Sequence, residues 1–369
     1  MHDTKDDLML NKMLRRMPLC VAPISSIICG LVVLTILISG CSPAVQTHQG
    51  YLQKPKLTEH FFISSDDNKL PLTVWKPKTE KTQAVVVALH GFNDHSGAFK
   101  ELGSNLADRG YLFYAYDQRG FGNTQKRGIW AGTDLLVQDL KEIVSLIEKA
   151  HPNLPIHALG ESMGGAVILS AMSRKNKANR PRLTSIVLSA PAVWGRTTMP
   201  AWQSKILDSL VHVIPMIKLT PQGLDINPSD NLDMLKALRN DPRYITESRL
   251  DAIYGLTNLM DRALEASGYQ DTPMLILYGA KDDLVPKSST CKMLTKLPNG
   301  KQKRWRLAFY PNGYHLLFRD LEGALVVKDI IAWLNSKKTE LPSGYEIDLS
   351  EVKNFAHSDC LASSKLIYK

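Results

Sequence analysis

The amino-acid sequence predicts an α/β fold with an eight-stranded, mostly parallel sheet flanked by helices. Short runs of apolar and β-branched residues alternate along the chain with segments of helical periodicity, and this alternation is typical of a parallel sheet. Six of the runs are continuously apolar, as expected of strands buried on both faces. One long interruption, over residues 193–268, contains no convincing strand and predicts a helical insertion after the sixth strand.

The predicted strands begin with a hairpin and continue with the six apolar runs. Residues 60–63 and 70–75 flank a polar turn, which is the pattern of two antiparallel strands. The further strands are expected at residues 84–89, 111–116, 156–159, 185–188, 274–278 and 305–310. Helices are expected between and after them, at residues 97–109, 133–150, 163–175, 287–297 and 316–334.

The interruption at residues 193–268 has two interpretations. It holds an apolar segment at 206–219 and a helical pattern at 234–259 that is broken around Pro242. A cap inserted over the strand ends is favoured, and extra helices of the same layer are the alternative. The core then consists of residues 57–192 and 269–338, and residues 339–369 form a polar tail without a predicted role.

The composition narrows the function classes. The chain has 369 residues, of which 44% are hydrophobic and 22% charged, so it is expected to fold as one large or two modest globular domains. A net charge of +9 comes without a nucleic-acid-binding motif, and nucleic acid is not a predicted partner. Cysteine and histidine spacings suggest no zinc site, and no metal or cofactor is predicted.

The N-terminus has the layout of a targeting signal. Basic residues precede an uncharged, mostly apolar stretch at residues 18–40, as in a secretory signal, with a single-pass membrane anchor as the rival. The stretch ends in Leu-Ile-Ser-Gly-Cys-Ser at 37–42, which resembles the lipobox of bacterial lipoproteins. That resemblance implies cleavage after residue 40, lipidation of Cys41 and attachment to a membrane.

The same resemblance suggests where the protein resides. The residue after Cys41 is Ser42 rather than an Asp. This resembles outer-membrane lipoproteins and implies a domain that faces the periplasm or the cell exterior. Residues 41–56 are rich in Ser, Pro, Gln, Thr and Lys, and they are expected to form the lipidated cysteine and a spacer.

The motif Gly-Glu-Ser-Met-Gly-Gly at residues 160–165 is the sharpest chemical signal in the sequence. It lies between a predicted strand and a predicted helix, which is the context of a nucleophile elbow. Glycines two residues before and after Ser162 permit a turn too tight for side chains. Ser162 is therefore the predicted nucleophile.

A serine hydroxyl needs a base, which is commonly a histidine oriented by a carboxylate. Two loops that follow the last two predicted strands supply candidates. They leave the carboxyl ends of these strands, which is where open α/β sheets place their sites. His315 is the predicted base. Asp282 or Asp283 is the orienting acid, and Asp282 is preferred.

Two backbone N–H groups are expected to bind the oxyanion that forms during acyl transfer. One is that of Met163, directly after the nucleophile, and the other is that of Phe92, in the loop after the strand at 84–89. His90 is expected to brace this loop rather than to take part in catalysis.

Five motifs together resemble one branch of a known family. They are His-Gly-Phe at 90–92, Asp-Gln-Arg-Gly-Phe-Gly at 117–122, the Ser162 motif, Gly-Ala-Lys-Asp at 279–282 and Gly-Tyr-His at 313–315. From about residue 57 to 338 the chain is similar to the monoacylglycerol lipases and lysophospholipases of the α/β-hydrolases. The resemblance implies the α/β-hydrolase fold, the triad Ser162, Asp282 and His315, and oxyanion donors Phe92 and Met163. Glu161 departs from the family, where His is frequent at this position.

The expected function is a serine ester hydrolase that cleaves monoacylglycerol- or lysophospholipid-like acyl esters through an acyl-enzyme, without cofactor or metal. The alternatives are a thioesterase or peptidase, an acyltransferase with the same triad, and a lipoprotein that binds without catalysis. The segment at 193–268 matches the family cap only loosely, so acyl length and head group stay open, as does the oligomeric state.

Overall fold

A computed structural model describes residues 42–173, 175, 180–221, 226–298 and 304–347. The predicted signal at residues 1–40, the predicted lipidation site Cys41 and the tail beyond residue 347 lie outside this range. The chain from Pro43 onward belongs to one structural unit. Within the described ranges, no helix is long and apolar enough to cross a membrane.

The centre of this unit is a nine-stranded sheet, one strand more than the sequence predicted. The described strands are β1 (Lys56–Leu57), β2 (Phe61–Ile63), β3 (Lys69–Trp75), β4 (Ala84–Leu89), β5 (Tyr111–Tyr116), β6 (Ile156–Glu161), β7 (Ser185–Ser189), β8 (Lys218–Leu219), β9 (Ser248–Arg249), β10 (Met274–Gly279) and β11 (Trp305–Tyr310). The sheet order is β1-β2-β3-β5-β4-β6-β7-β10-β11. The pairs β1–β2, β2–β3 and β3–β5 are antiparallel, and the other pairs of this sheet are parallel. The missed strand, β1, has two residues and therefore no periodicity to detect.

Helices cover both faces of the sheet. The described α-helices are α1 (Lys100–Ala107), α2 (Thr133–Ala150), α3 (Met163–Ala171), α4 (Ala201–Leu210), α5 (Leu232–Asn240), α6 (Leu250–Ala266), α7 (Lys287–Lys296) and α8 (Gly323–Asn335). Apolar side chains of α2, α3, α6 and α7 share one core cluster, and those of α1 and α8 share the other. The predicted α/β class and its mostly parallel sheet are thus confirmed.

The segment between β7 and β10 combines both interpretations of residues 193–268. Its first part contains α4, α5 and a small antiparallel pair of β8 with β9, where the sequence predicted no strand. Its last helix, α6, packs against α3 as part of the helix layer. The reason is the apolar face of α6, on which Leu259, Ala263 and Leu264 are buried. We call residues 193–249 the cap.

Three predicted helices are shorter than expected by several residues. The segment at 97–109 begins within a 3-10 helix, Ser96–Phe99, and its α-helix is α1 (Lys100–Ala107). The helix at 163–175 ends at Ala171, and the segment at 316–334 is divided into a 3-10 helix, Leu317–Arg319, and α8. Asp320 lies at the division, where its carboxylate accepts hydrogen bonds from the Ser229 hydroxyl and the Tyr314 N–H. These contacts hold the backbone in a turn instead of a continuous helix.

Part of the predicted spacer instead lies on the fold. The Ala44 N–H donates to Asp251 of α6 over 3.0 Å, and the Gln46 N–H donates to the carbonyl of Trp130 over 2.9 Å. The Gln46 side chain also donates to the carbonyl of Ile129. We call residues 44–46 the N-terminal strap, because they join the loop before α2 to the helix that follows the cap.

The beginning of the predicted tail also packs on the sheet. The Phe309 N–H donates to the Tyr345 carbonyl over 2.9 Å, and the Ile347 N–H donates to the Leu307 carbonyl over 3.0 Å. Leu341 is buried. These contacts cover the outer edge of β11, which is the last strand of the sheet.

Candidate active site

Ser162 lies in the tight turn between β6 and α3. Its φ of 51° is in the left-handed region, which a side chain other than glycine rarely adopts. A Cβ on Gly160 would lie 2.5 Å from the Gly164 backbone, and one on Gly164 would collide with the carbonyl oxygen of Leu89. Only glycine fits at both positions, so the backbone turns sharply and leaves Ser162 half-buried at the end of the strand.

His315 and Asp282 are hydrogen-bonded to each other in neighbouring loops. The Nδ1 of His315 lies 2.9 Å from Oδ2 of Asp282, and both side chains are buried. The other oxygen of Asp282 accepts from the N–H groups of Leu284 and Val285, each over 2.9 Å. Asp283 is exposed. The structure therefore places Asp282, and not its neighbour, in position to orient the imidazole.

The charge state of His315 follows from these contacts. Burial lowers its pKa, but the charge and hydrogen bond of Asp282 and the charge of Glu161 together outweigh this and raise the pKa above 6.5. With Nδ1–H donating to Asp282, the Nε2 atom is left to accept a proton.

The loop after β4 lies directly against Ser162. A Cβ on Gly91 would be 3.4 Å from the Cβ of Ser162, so this loop passes within van der Waals distance of the elbow. Phe92 follows, and its ring packs edge-on against Phe121, with centroids 5.4 Å apart. Of the two predicted oxyanion donors, Met163 directly follows Ser162 in the chain, and Phe92 directly follows Gly91, which approaches Ser162 in space.

His90 braces this loop, as expected. The Gln118 N–H donates to its Nε2 over 2.9 Å, while the Gln118 side chain donates to the His90 carbonyl over 2.8 Å. Because Nε2 accepts, Nδ1 carries the proton and donates to the Gly91 carbonyl. Burial lowers the pKa of His90 and keeps it neutral.

One part of the site was missed from the sequence. The guanidinium of Arg319, four residues after His315, contacts the carboxylates of Glu161 and Asp94. The available signal was the acidic residue at position 161, where the resembled family frequently has His. Its partner lies 158 residues away along the chain, so no local pattern reveals the contact.

An apolar pocket opens beside Phe92, between the core loops and the cap. Three aromatic rings contribute to it, those of Phe92, Phe121 and Trp130, and Ile245 and Ala252 face them from the cap and α6. The pocket is small, and neither Ser162 nor His315 is among its lining residues. In the described part of the chain, no cluster of His, Cys, Asp or Glu could hold a metal ion.

The cap carries a set of exposed apolar side chains on α4 and the segment that follows it. We call this set the apolar cap surface. Its members are Trp202, Ile206, Leu210, Val213, Ile214, Met216, Ile217 and Leu219, each exposed by 40% or more. Single exposed apolar residues are common on proteins, but a run of this kind marks an interaction surface.

Comparison with known proteins agrees with this geometry. The model of the Hydrolase_4 family, described as "Serine aminopeptidase, S33", matches residues 80–322, which include the Ser162 elbow and both partner loops. The chain belongs to this α/β-hydrolase family. The fold predicted from the motifs is thereby confirmed.

Several relatives of this hydrolase are named for ester hydrolysis. Monoacylglycerol lipase of Mycolicibacterium smegmatis is 28% identical over 288 residues, or 76% of this chain and 97% of that protein. Monoglyceride lipase of Homo sapiens is 29% identical over 282 residues, or 74% of this chain and 89% of that protein. These relatives confirm the predicted reaction class, which is a serine ester hydrolase.

A solved structure supports the fold. A soluble variant of monoglyceride lipase from Saccharomyces cerevisiae, in complex with a substrate analog, superposes on this hydrolase with a TM-score of 0.63. The two chains are 22% identical, and the match covers 81% of this chain and 100% of that one.

Proposed function

We propose that this hydrolase cleaves the acyl ester bond of monoacylglycerol- or lysophospholipid-like lipids, with Ser162, His315 and Asp282 as its triad. One observation carries the proposal. The left-handed turn at Ser162 and the buried pair of His315 and Asp282 all follow the carboxyl ends of parallel strands, on the same side of the sheet. The names of the relatives support a lipid ester as the substrate class.

The reaction proceeds in two halves. His315 Nε2 takes the proton of Ser162 Oγ while that oxygen bonds to the ester carbonyl carbon, and the carbonyl electron pair moves onto oxygen. Asp282 stabilises the imidazolium, which then protonates the departing alcohol. Water deprotonated by His315 then attacks the acyl-enzyme carbonyl carbon. The bond to Ser162 Oγ breaks, the fatty acid leaves, and the imidazolium returns its proton to Ser162 Oγ.

The negative oxygen of each tetrahedral intermediate is bound by the backbone N–H groups of Phe92 and Met163. The N-terminus of α3 adds a favourable dipole, because Met163 is its first residue. Loss of one such donor typically lowers kcat by about 10²–10³-fold.

The apolar features agree with a lipid substrate. The apolar cap surface suits a lipid layer from which the substrate is taken. We further propose that Cys41 is lipidated and attaches the enzyme to the outer membrane, facing the periplasm or exterior. Several acyl chains would attach it firmly, since each buried CH₂ contributes about 0.8 kcal/mol.

The first experiment measures fatty acid release from a 1-monoacylglycerol by the full chain in detergent, beside its Ser162→Ala variant. We expect release by the wild type and a loss of about 10⁴-fold or more in the variant. Equal release by both proteins would overturn the assignment of Ser162. Release by neither, even from a small activated ester, would favour a binding protein.

A peptidase is the second candidate, because the matched family model carries the name of an aminopeptidase. Turnover of amide, thioester and ester substrates with the same acyl group compares the two. An ester rate well above the amide rate supports the lipase proposal, and the reverse order would replace it. Addition of glycerol or lysolipid, with analysis of the products, detects acyl transfer.

A further inference from the structure

Behind Ser162, three charged side chains form a buried cluster. The Nη2 of Arg319 lies 2.7 Å from Oε2 of Glu161 and 2.8 Å from Oδ2 of Asp94. The Arg319 side chain is 10% exposed, and those of Glu161 and Asp94 are exposed by 0% and 4%. At this burial the attraction between the charges is only weakly screened by water.

The cluster joins the three loops that carry the proposed catalytic groups. Glu161 directly precedes Ser162, Asp94 is two residues after Phe92, and Arg319 is in the 3-10 helix that follows His315. A single guanidinium therefore holds together the elbow, the oxyanion loop and the histidine loop.

The carboxylate of Glu161 is incompletely neutralised. Its Oε1 atom is buried and accepts no hydrogen bond from the described residues, while Oε2 shares its donor with Asp94. Within the cluster two carboxylates share one guanidinium, and on the side away from Glu161 Asp94 also has Arg243 and the His95 ring near it. Tyr244 also lies near Arg319 and Asp94.

Electrostatic coupling connects this charge to the base. Burial raises the pKa of Glu161 to about 7, and Asp94 adds to this, while the positive charges of Arg319 and His315 oppose it. Glu161 in turn favours the charged form of His315, and Arg319 disfavours it. With a pKa of about 7, Glu161 is only partly ionised near neutral pH, and formation of the His315 imidazolium favours its ionised form. The imidazolium then has two carboxylates near it, those of Asp282 and Glu161.

We propose that Glu161 is a positioning residue that fixes Arg319 and supplies a second negative charge to the His315 imidazolium formed during acyl transfer. The inference rests on the proposed triad and deepens it. Asp282 sets the direction of the imidazole, whereas Glu161 adds charge from the side of the nucleophile. The family resemblance assigns no role to an acid at this position.

The test uses Glu161→Gln in the full chain, with a water-soluble short-chain ester as substrate. The amide keeps an oxygen for Arg319 but removes the charge. We expect the acid limb of the kcat/KM profile to move about 0.5–1 pH unit lower, because His315 loses an anion that favours its protonated form. We also expect kcat to fall about 10-fold with KM nearly unchanged, since the imidazolium forms only after binding.

Two further variants separate charge from shape. Glu161→Asp keeps the charge and shortens the side chain, so its acid limb should stay near that of the wild type. Asp283→Asn is the matched control, because it removes an exposed carboxylate close to the triad and should leave the profile in place. Thermal melting confirms that each variant is folded.

The outcomes distinguish this inference from the proposed function. An unshifted profile in a folded Glu161→Gln enzyme, or an equal shift in Asp283→Asn, overturns the role of Glu161. If Glu161→Gln is unfolded, a profile shift in Glu161→Asp as large as one pH unit would overturn it instead. Activity that survives Ser162→Ala would overturn the triad itself.

Discussion

The core helix α3 and the cap helix α4 are nearly equal in length but opposite in environment. Every residue of α3 is buried, whereas no residue of α4 is. Both contain Ile and Leu, yet Ile168 of α3 is fully buried and Ile206 of α4 is 49% exposed. Apolar side chains in α3 thus stabilise the fold and position Ser162, while those in α4 remain available for contacts outside the chain.

The largest expected effect concerns a buried and an exposed residue that are adjacent in the sequence. Asp282→Asn should lower kcat by about 10³–10⁴-fold, because the amide no longer selects the imidazole tautomer that accepts the serine proton. Asp283→Asn should change kcat by less than about twofold, because its exposed charge is screened by water. Steady-state kinetics on one ester compares the two variants, and similar losses would contradict the contrast.

The second effect tests stability in the two helices. Ile168→Ala should lower the free energy of unfolding by about 2–5 kcal/mol, since it leaves a cavity in the core. Ile206→Ala should lower it by less than about 0.5 kcal/mol. Urea denaturation followed by circular dichroism measures both. A large loss from Ile206→Ala would mean that α4 is a packed helix rather than an open surface.

The smallest effect concerns substrate access at the cap. Replacing Leu210 and Ile214 by Ser should lower turnover of long-chain monoacylglycerol in vesicles by about 10-fold, because apolar area for lipid contact is lost. Turnover of a soluble short-chain ester should be unchanged. Leu321→Ser, at an exposed leucine outside the cap, is the control. Equal losses on both substrates would mean that these residues support the fold of the cap instead.

The core strands and the elbow could be predicted because their signals are local. Strands buried on both faces need continuous apolar runs, and the turn at Ser162 needs glycine at positions 160 and 164. The position of His315 also followed from chain order, since both partner loops leave neighbouring strands at one sheet edge.

The features that the sequence did not predict depend on distant contacts. The strands β1, β8 and β9 have two residues each, too few for a pattern. The position of α6 in the helix layer depends on the surface of α3, and the pairing of Glu161 with Arg319 depends on how two loops meet. Neither partner of such a contact indicates the other in a single sequence.

The N-terminal strap gives the protein a defined mechanical linkage. A force that pulls on the chain at Ser42 first meets resistance at Ala44, whose N–H is hydrogen-bonded to Asp251 of α6. The next resistance is at Gln46, which is hydrogen-bonded to the carbonyls of Ile129 and Trp130. Ile129 and Trp130 line the apolar pocket. Tension on this end of the chain is therefore delivered to the pocket wall before it reaches the central sheet.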